Sequence, residues 1–175
     1  MTMRIIFLDI DGVLNTERYS AWLQDRGMPC RDQYGILMFD PSAVANLKRI
    51  LNALPDVRIV LESTWTFAGH PDALRFMWAE RGLPGALHDV IETIFTKHVL
   101  NIGISDPADV KKVEDLGKNK AIRAWLRRNA GPDCRYTILD DMADFRGKLF
   151  GHTVYINPWV GLTEFDAKEV IMRLK

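Results

Sequence analysis

Apolar and polar positions alternate in blocks along the chain, and these blocks predict strands separated by helices. Short runs rich in β-branched and other apolar residues are typical of buried strands, and they cover residues 3–9, 57–63, 135–141 and 152–158. A weaker run over 89–95 is a further strand candidate. The runs are separated by longer segments, so each pair of strands is connected by enough chain to form a helix.

Capping residues and apolar periodicity mark the helices. Asp40 followed by Pro41 predicts a helix start, and Thr163 predicts another near the end of the chain. Apolar residues at helical spacing predict further helices over 71–81 and from near Lys118 onward. Strands that alternate with helices favour a Rossmann-like α/β fold, in which a parallel sheet carries helices on both faces.

Length and charge limit the classes of protein that the chain resembles. Its 175 residues are enough for a single domain over 1–175, and Lys+Arg and Asp+Glu both number 23, so the net charge favours neither nucleic acid nor an anionic membrane. The two cysteines, Cys30 and Cys134, form no close-spaced metal pattern and favour a reducing compartment. No signal-peptide core and no uncharged run near the ~18–20 residues of a membrane span are present, which predicts a cytoplasmic protein with no membrane partner.

Carboxylates follow two of the predicted strands directly. Asp9 and Asp11 follow the first strand, and Asp140 and Asp141 end the third, with Asp144 three residues later. Each pair alone is equally well explained as a turn. In a parallel sheet, however, the carboxyl ends of the strands share one edge, where these groups would crowd together. Oxygen ligands alone indicate a hard cation, and Mg²⁺ is the usual one.

Hydroxyl groups and a lysine are expected at the same edge. The second strand ends in Glu62, Ser63 and Thr64, and Lys118 lies on the helix before the third strand. Taken singly, a loop hydroxyl or a solvated lysine is the more common interpretation of such residues. The sequence leaves the role of Glu62 open between an exposed side chain and a salt bridge with a neighbouring arginine.

The order of four motifs resembles the haloacid dehalogenase (HAD) superfamily of phosphatases. The motifs are "DIDGVLN", "VLESTW", "KNKAI" and "TILDDMAD", in which an Asp-x-Asp pair, a hydroxyl, a lysine and a second acidic pair follow one another. The segments "STW", "DDMADF" and "GLTEFDA" resemble more narrowly the HAD domain related to RNA-repair proteins. The resemblance covers nearly the whole chain and implies a HAD-like fold with at most a small cap.

The resemblance also implies roles for individual residues. Asp9 would attack phosphorus and form an aspartyl-phosphate, and Asp11 would act as general acid and then as general base. Mg²⁺ would be held by Asp9, the Asp11 carbonyl and Asp141. Asp140 and Asp144 would support these metal ligands without direct bonds to the ion, through water or as neighbours of the ligands. The phosphoryl oxygens would be held by Lys118 and by a hydroxyl, for which Ser63 is preferred over Thr64 because it directly ends the strand.

Two short insertions bear on the substrate. Residues 16–39 form a possible small cap or flap, and residues 96–117 form a second insertion, but each is too short for an α/β cap. A lightly covered site favours phosphates at polynucleotide ends. The aromatic residues of the first insertion would either stack on a base or pack on the domain, and nearby arginines would either be solvated surface residues or contact further phosphates. The aromatic residues are Tyr19, Trp22, Tyr34 and Phe39, and the arginines are Arg18, Arg26, Arg31, Arg123, Arg127 and Arg128.

Other functions remain open at this point. A small-molecule or nucleotide phosphatase would use the same residues, and a non-catalytic phosphate-binding module could share the fold, although both Asp9 and Asp11 are present. A response-regulator receiver domain is disfavoured because its lysine follows the second acidic group, whereas Lys118 precedes Asp140.

Overall fold

The fold centres on one parallel sheet. The computed structural model describes residues 2–63, 65, 71–91, 107–142, 145 and 147–175, with the backbone alone for 107–116. Over these residues the strands form a sheet in the order β3-β2-β1-β4-β5, and every neighbouring pair is parallel. The strands are β1 (Arg4–Leu8), β2 (Val57–Leu61), β3 (Leu87–Val90), β4 (Arg135–Asp140) and β5 (Thr153–Tyr155).

Helices connect the strands and confirm the predicted α/β architecture. They are α1 (Glu17–Gln24), α2 (Pro41–Ala53), α3 (Pro71–Glu80), α4 (Pro107–Asn129) and α5 (Glu164–Leu174), with a short 3₁₀ helix over Gly147–His152. Within the described residues, none of the helices has the length and apolar character needed to cross a membrane.

The apolar core lies on both faces of the sheet. Along β1, Ile6 and Leu8 pack on the side of α2, α3 and α5, whereas Ile5 and Phe7 pack on the side of α4. Because β1 is buried on both faces, its sequence is a continuous apolar run without the alternation of a half-exposed strand. Burial of one such side chain stabilises the fold by about 1.5–3 kcal/mol.

The helix starts agree with the capping residues in the sequence. The Asp40 carboxylate accepts the backbone N–H of Ser42 at 2.8 Å at the start of α2. Thr163 and Asp166 form a reciprocal capping box at the start of α5. Both predicted helix starts are therefore confirmed.

Two elements start at least two residues away from the sequence-based prediction, and the predicted 152–158 strand is shorter, covering Thr153–Tyr155. Helix α4 begins at Pro107, so Lys118 lies in its middle and not near its start. The sequence before Lys118 has few apolar residues and includes Gly117, which conceals the helical period. Strand β3 begins at Leu87, earlier than the predicted 89–95 strand, and residues 92–95 lie outside the described part of the chain.

The insertion over residues 16–39 consists of helix α1 and a loop. The loop contains an antiparallel bridge between Arg31 and Leu37, and the backbone N–H of Asp40 donates to Leu14 at 2.8 Å where the chain rejoins the domain. Closure of this segment over a substrate stays a prediction.

Candidate active site

Three carboxylates lie side by side at the carboxyl edge of the sheet. Strands β2, β1 and β4 pair in register up to Leu61, Leu8 and Leu139. The residues that follow on the three strands are Glu62, Asp9 and Asp140. The ladder continues one step further, because the Asp9 N–H donates to Leu139 at 3.0 Å and the Glu62 N–H donates to Leu8 at 2.8 Å. Side chains alternate along a strand, so all three carboxylates face α4. We call Asp9, Glu62 and Asp140 the carboxylate row.

Lys118 reaches the carboxylate row from α4. Its Nζ atom lies 2.6 Å from Asp9 Oδ2, 2.8 Å from Asp140 Oδ2 and 3.6 Å from Glu62 Oε2. Burial alone would lower the pKa of Lys118, but the surrounding carboxylates raise it well above its ordinary value of 10.5. The lysine is therefore a fixed positive charge inside the site.

The carboxylates of the row differ in their surroundings. Burial raises the pKa of Asp140 from 3.8 to about 7, and the charge of Lys118 opposes this shift. Burial also raises the pKa of Glu62 well above its ordinary value, and neither of its carboxylate oxygens has a hydrogen-bond partner among the described residues. The two alternatives that the sequence offered for Glu62 are both wrong, because its side chain is 1% exposed and lies beside a lysine. The apolar run before it gave no sign of a buried charge.

A second grouping of carboxylates could hold a metal ion. One oxygen each from Asp9, Asp140 and Asp141 lies within 4.8 Å of the others. Gly12 permits this approach, because its φ is +72° and a Cβ atom there would lie 2.5 Å from Asp141 Oδ2. A set of oxygen ligands of this kind fits Mg²⁺. Of the residues predicted to bind metal, Asp11 is absent from this grouping of side chains.

Asp11 is instead held by two neutral donors. Its Oδ1 accepts from Asn15 Nδ2 at 2.7 Å, and its Oδ2 accepts from the Trp65 indole N–H at 2.8 Å. Asn15 also accepts the backbone N–H of Gly12 at 3.1 Å, which ties the turn together. Sequence reasoning missed both partners. Asn15 and Trp65 stand inside the quoted motifs, but their spacing alone does not show that they point at Asp11.

Of the two predicted phosphate-binding hydroxyls, the structure describes that of Ser63, the residue after Glu62. Ser63 is fully buried, and its Oγ accepts the backbone N–H of Trp65 at 3.4 Å. Thr64 and Asp144 lie outside the described residues, so their predicted roles stay predictions.

A cavity of about 450 Å³ opens beside Asp11, Gly12 and Asp141. Its opposite wall is one face of α1, and no lysine or arginine belongs to its lining among the described residues. The remaining lining residues are Asn15, Thr16, Glu17, Ser20, Ala21, Gln24, Leu37 and Pro158.

The aromatic residues of the first insertion all contact other side chains. Trp22 stacks on Tyr19 with ring centroids 5.8 Å apart and has the Arg26 guanidinium 4.2 Å from its ring centroid. Phe39 lies against Trp65, and the ring of Tyr34 has the Arg81 guanidinium 5.6 Å from its centroid. Tyr34 and Phe39 thus contact residues outside the insertion, whereas Tyr19 and Trp22 pair within it, and stacking on a base stays a prediction.

The predicted arginines divide between the two edges of the sheet. Arg127 lies in the last turn of α4, nine residues or about 14 Å along the helix from Lys118. The chain then enters β4 at Arg135, which pairs with the first residue of β1. Arg127 and its neighbour Arg128 therefore lie toward the amino edge of the sheet, away from the carboxylates. The cavity lining contains none of the six predicted arginines.

Comparison with known proteins agrees with the fold and the order of motifs. The family model described as the HAD domain in Swiss Army Knife RNA repair proteins matches residues 5–167. The solved structure of the HAD domain of the effector protein Lem4 from Legionella pneumophila superposes with a TM-score of 0.52 at 14% identity, covering 99% of this chain and 96% of that chain. At that identity the likeness shows the fold alone. No curated protein matches the chain significantly.

Proposed function

Since this chain belongs to the family of HAD domains in Swiss Army Knife RNA repair proteins, we propose that it is a phosphomonoesterase that uses Asp9 as its nucleophile. The observation that carries the proposal is the buried Lys118, whose Nζ bridges Asp9 and Asp140 at 2.6 and 2.8 Å next to a further carboxylate, Asp141. Phosphoryl transfer depends mainly on positioned charges, and this edge of the sheet supplies them.

The reaction proceeds in two steps. An Asp9 carboxylate oxygen forms a bond to phosphorus, the bond to the leaving oxygen breaks, and Asp11 donates its proton to that oxygen. Asp11 then takes a proton from water, which attacks phosphorus and releases phosphate from Asp9. The hydrogen bonds from Asn15 and Trp65 hold the Asp11 carboxyl in place through both steps.

Asp9, Asp141 and the main-chain carbonyl of Asp11 would hold Mg²⁺, with Asp140 beside them. When bound, the ion offsets the negative charge of the carboxylates and of the phosphoryl oxygens. Lys118 and Ser63 contact the phosphoryl oxygens, and Thr64 and Asp144 are assigned supporting roles from the motif order alone. The fit rests on the three clustered carboxylates and on the space that Gly12 leaves for Asp141.

The first experiment measures hydrolysis of p-nitrophenyl phosphate with Mg²⁺ or with EDTA. We expect activity with Mg²⁺ and loss of activity in EDTA and in Asp9→Asn, because an amide does not attack phosphorus usefully. Asp133→Asn is the matched control, since Asp133 is exposed in the turn before β4 at the opposite edge of the sheet. Full turnover by a folded Asp9→Asn variant would exclude the covalent mechanism.

For the substrate, we propose phosphorylated polynucleotide ends, which the RNA-repair family description supports. A small-molecule or nucleotide phosphatase is the second candidate, and it is favoured by the cavity beside Asp11, whose described lining has no basic residue. We propose a cytoplasmic location, which the two free cysteine thiols support.

The second experiment compares a terminally phosphorylated oligonucleotide with the matching mononucleotide. We expect a higher kcat/KM for the oligonucleotide at low salt, with an advantage that shrinks as salt rises because backbone phosphates are contacted. Charge reversal at Arg26 and Arg31, in the loop after α1, should reduce that advantage and leave mononucleotide turnover nearly unchanged. Equal or better efficiency on the mononucleotide would select the second candidate.

A further inference from the structure

Glu62 is a buried carboxylate without a hydrogen-bond partner in the part of the chain that the structure describes. Among the described residues, its two oxygens are the only fully buried side-chain polar atoms without one. A buried charge of this kind costs several kcal/mol unless another group compensates it. A serine or an apolar residue at the end of β2 would avoid that cost, so the fold alone does not explain why a glutamate stands there.

The position of Glu62 relates it to Lys118. An ammonium group has three N–H donors, and two of those of Lys118 reach Asp9 and Asp140. The Glu62 Oε2 atom lies 3.6 Å from Nζ, close enough for ionic attraction but too far for a hydrogen bond. Glu62 lies on the β2 side of Asp9 and Asp140 lies on the β4 side. The two outer carboxylates of the row therefore attract the ammonium group from opposite sides of the nucleophile.

The reaction removes the central attraction. When an oxygen of Asp9 bonds to phosphorus, its carboxylate becomes an acyl phosphate and loses the charge that paired with Lys118. Within the carboxylate row, the pull of Asp140 on the ammonium group toward β4 would then be opposed by Glu62 alone, while the ammonium group contacts the phosphoryl oxygens. We propose that Glu62 is a positioning residue, which balances this pull and keeps Lys118 beside Asp9 through phosphoryl transfer. The inference rests on the proposed function.

The first test is the kinetics of Glu62→Gln with p-nitrophenyl phosphate. We expect kcat to fall about tenfold with KM changed less than about twofold, because the positioned charge acts mainly in the transition state. The melting temperature should stay the same or rise, since one of the three buried carboxylates around a single ammonium group is neutralised. Parallel losses of activity and melting temperature would indicate a structural role and overturn the proposal. Glu62→Ser is the second variant if Gln does not fold.

The second test asks whether Glu62 acts through Lys118. In a Lys118→Met background, measured under single-turnover conditions, Glu62→Gln should reduce the rate no further, whereas an equal fractional loss in both backgrounds would overturn the proposal. In that background Glu62→Gln should also raise the melting temperature, because the lysine no longer compensates the carboxylate. Asp89→Asn is the matched control, since Asp89 is a half-buried carboxylate on the edge strand β3 that contacts Trp125, and its effects should be additive.

The outcome separates the two proposals. A wild-type protein without Mg²⁺-dependent phosphatase activity contradicts the proposed function and the positioning role together. An active wild-type protein with a fully active Glu62→Gln variant contradicts the positioning role alone.

Discussion

At the scale of single residues, the surroundings give identical side chains different tasks. Asp9 accepts the backbone N–H of Ile10 at 2.7 Å on one oxygen and Lys118 on the other, so its carboxylate is fixed from both sides. Asp11, two residues later, accepts from neutral donors and lines an open cavity. A nucleophile needs a fixed orientation and a general acid needs access to the leaving group, so each aspartate has the surroundings that its proposed role requires.

Gly12 is the residue whose substitution tests the geometry most directly. In Gly12→Ala, the new methyl group would displace Asp141, since its position lies 2.5 Å from Asp141 Oδ2. We expect activity toward p-nitrophenyl phosphate to fall on the order of 100-fold, as misplacement of a catalytic group by about 1 Å can do. The positive φ adds a backbone cost of about 1–2 kcal/mol, measurable by urea unfolding.

Gly27→Ala is the matched control for this prediction. Gly27 has a similar φ of +64°, but among the described residues no atom beyond its two chain neighbours lies within 4 Å of its Cβ position. The control should therefore show the backbone cost in stability and nearly full activity. Similar activities of the two variants would mean that Asp141 does not need the space beside Gly12.

At the scale of elements, the sequence predicted most of what positions the site. Strands β1, β2 and β4 were recognisable because both of their faces are buried, and parallel pairing then brought Asp9, Asp140 and Lys118 to one edge. The burial of Glu62 was not predictable, because it depends on α4 covering that face of the sheet. The first half of α4 was also missed, since its sequence has little apolar periodicity.

Asp40 links the starts of two helices. Its Oδ1 caps α2 through the Ser42 N–H, and its Oδ2 accepts the hydroxyl of Thr16, which itself caps α1. The sequence predicted the cap of α2 but not the connection to Thr16. That hydrogen bond joins two residues 24 positions apart in the sequence, so local patterns do not indicate it. Asp40 thus fixes the start of α1, which forms one wall of the cavity, and also the start of α2.

Asp40→Ala should destabilise the protein by about 2–3 kcal/mol. About 1 kcal/mol comes from the lost cap, and the rest comes from the buried Thr16 hydroxyl left without an acceptor. Urea unfolding measures the change. Thr163→Ala, which removes the cap of α5 alone, should cost about 1 kcal/mol. Equal losses in the two variants would show that the link to Thr16 adds nothing.

At the scale of the whole molecule, a chain of zero net charge concentrates negative groups at one edge of its sheet. Among the described residues, the carboxylate row and Asp141 surround a single lysine, so these groups carry excess negative charge when every carboxylate is ionised. At low pH and in the absence of a divalent cation, the folded protein lowers this charge by holding protons on Asp140 and Glu62, whose pKa values burial raises. Metal binding and protonation therefore compete at Asp140, which belongs to both sets.

The final prediction follows from these two pKa values. Because both are higher in the folded protein than in the unfolded chain, the folded state binds the protons more tightly. The resulting stabilisation is complete below the ordinary value of 3.8 for Asp140 and is lost as pH rises through about 7. Glu164 behaves in the opposite way, because hydrogen bonds from Lys168 and Arg49 lower its pKa. It therefore titrates at lower pH than Asp140 does. We expect the melting temperature in EDTA to decrease between about pH 5 and about pH 8.

Asp140→Asn and added Mg²⁺ separate the origins of this decrease. The amide does not titrate, so the variant should show a smaller decrease over the same pH range. Mg²⁺ binds the ionised carboxylates of the folded state, and at a hundredfold excess over its dissociation constant it should stabilise the protein by about 2.7 kcal/mol. That stabilisation should be larger at the upper end of the pH range, where protons no longer compete. A melting temperature in EDTA that rises from about pH 5 to about pH 8 would show that these carboxyl groups are already ionised in the metal-free fold.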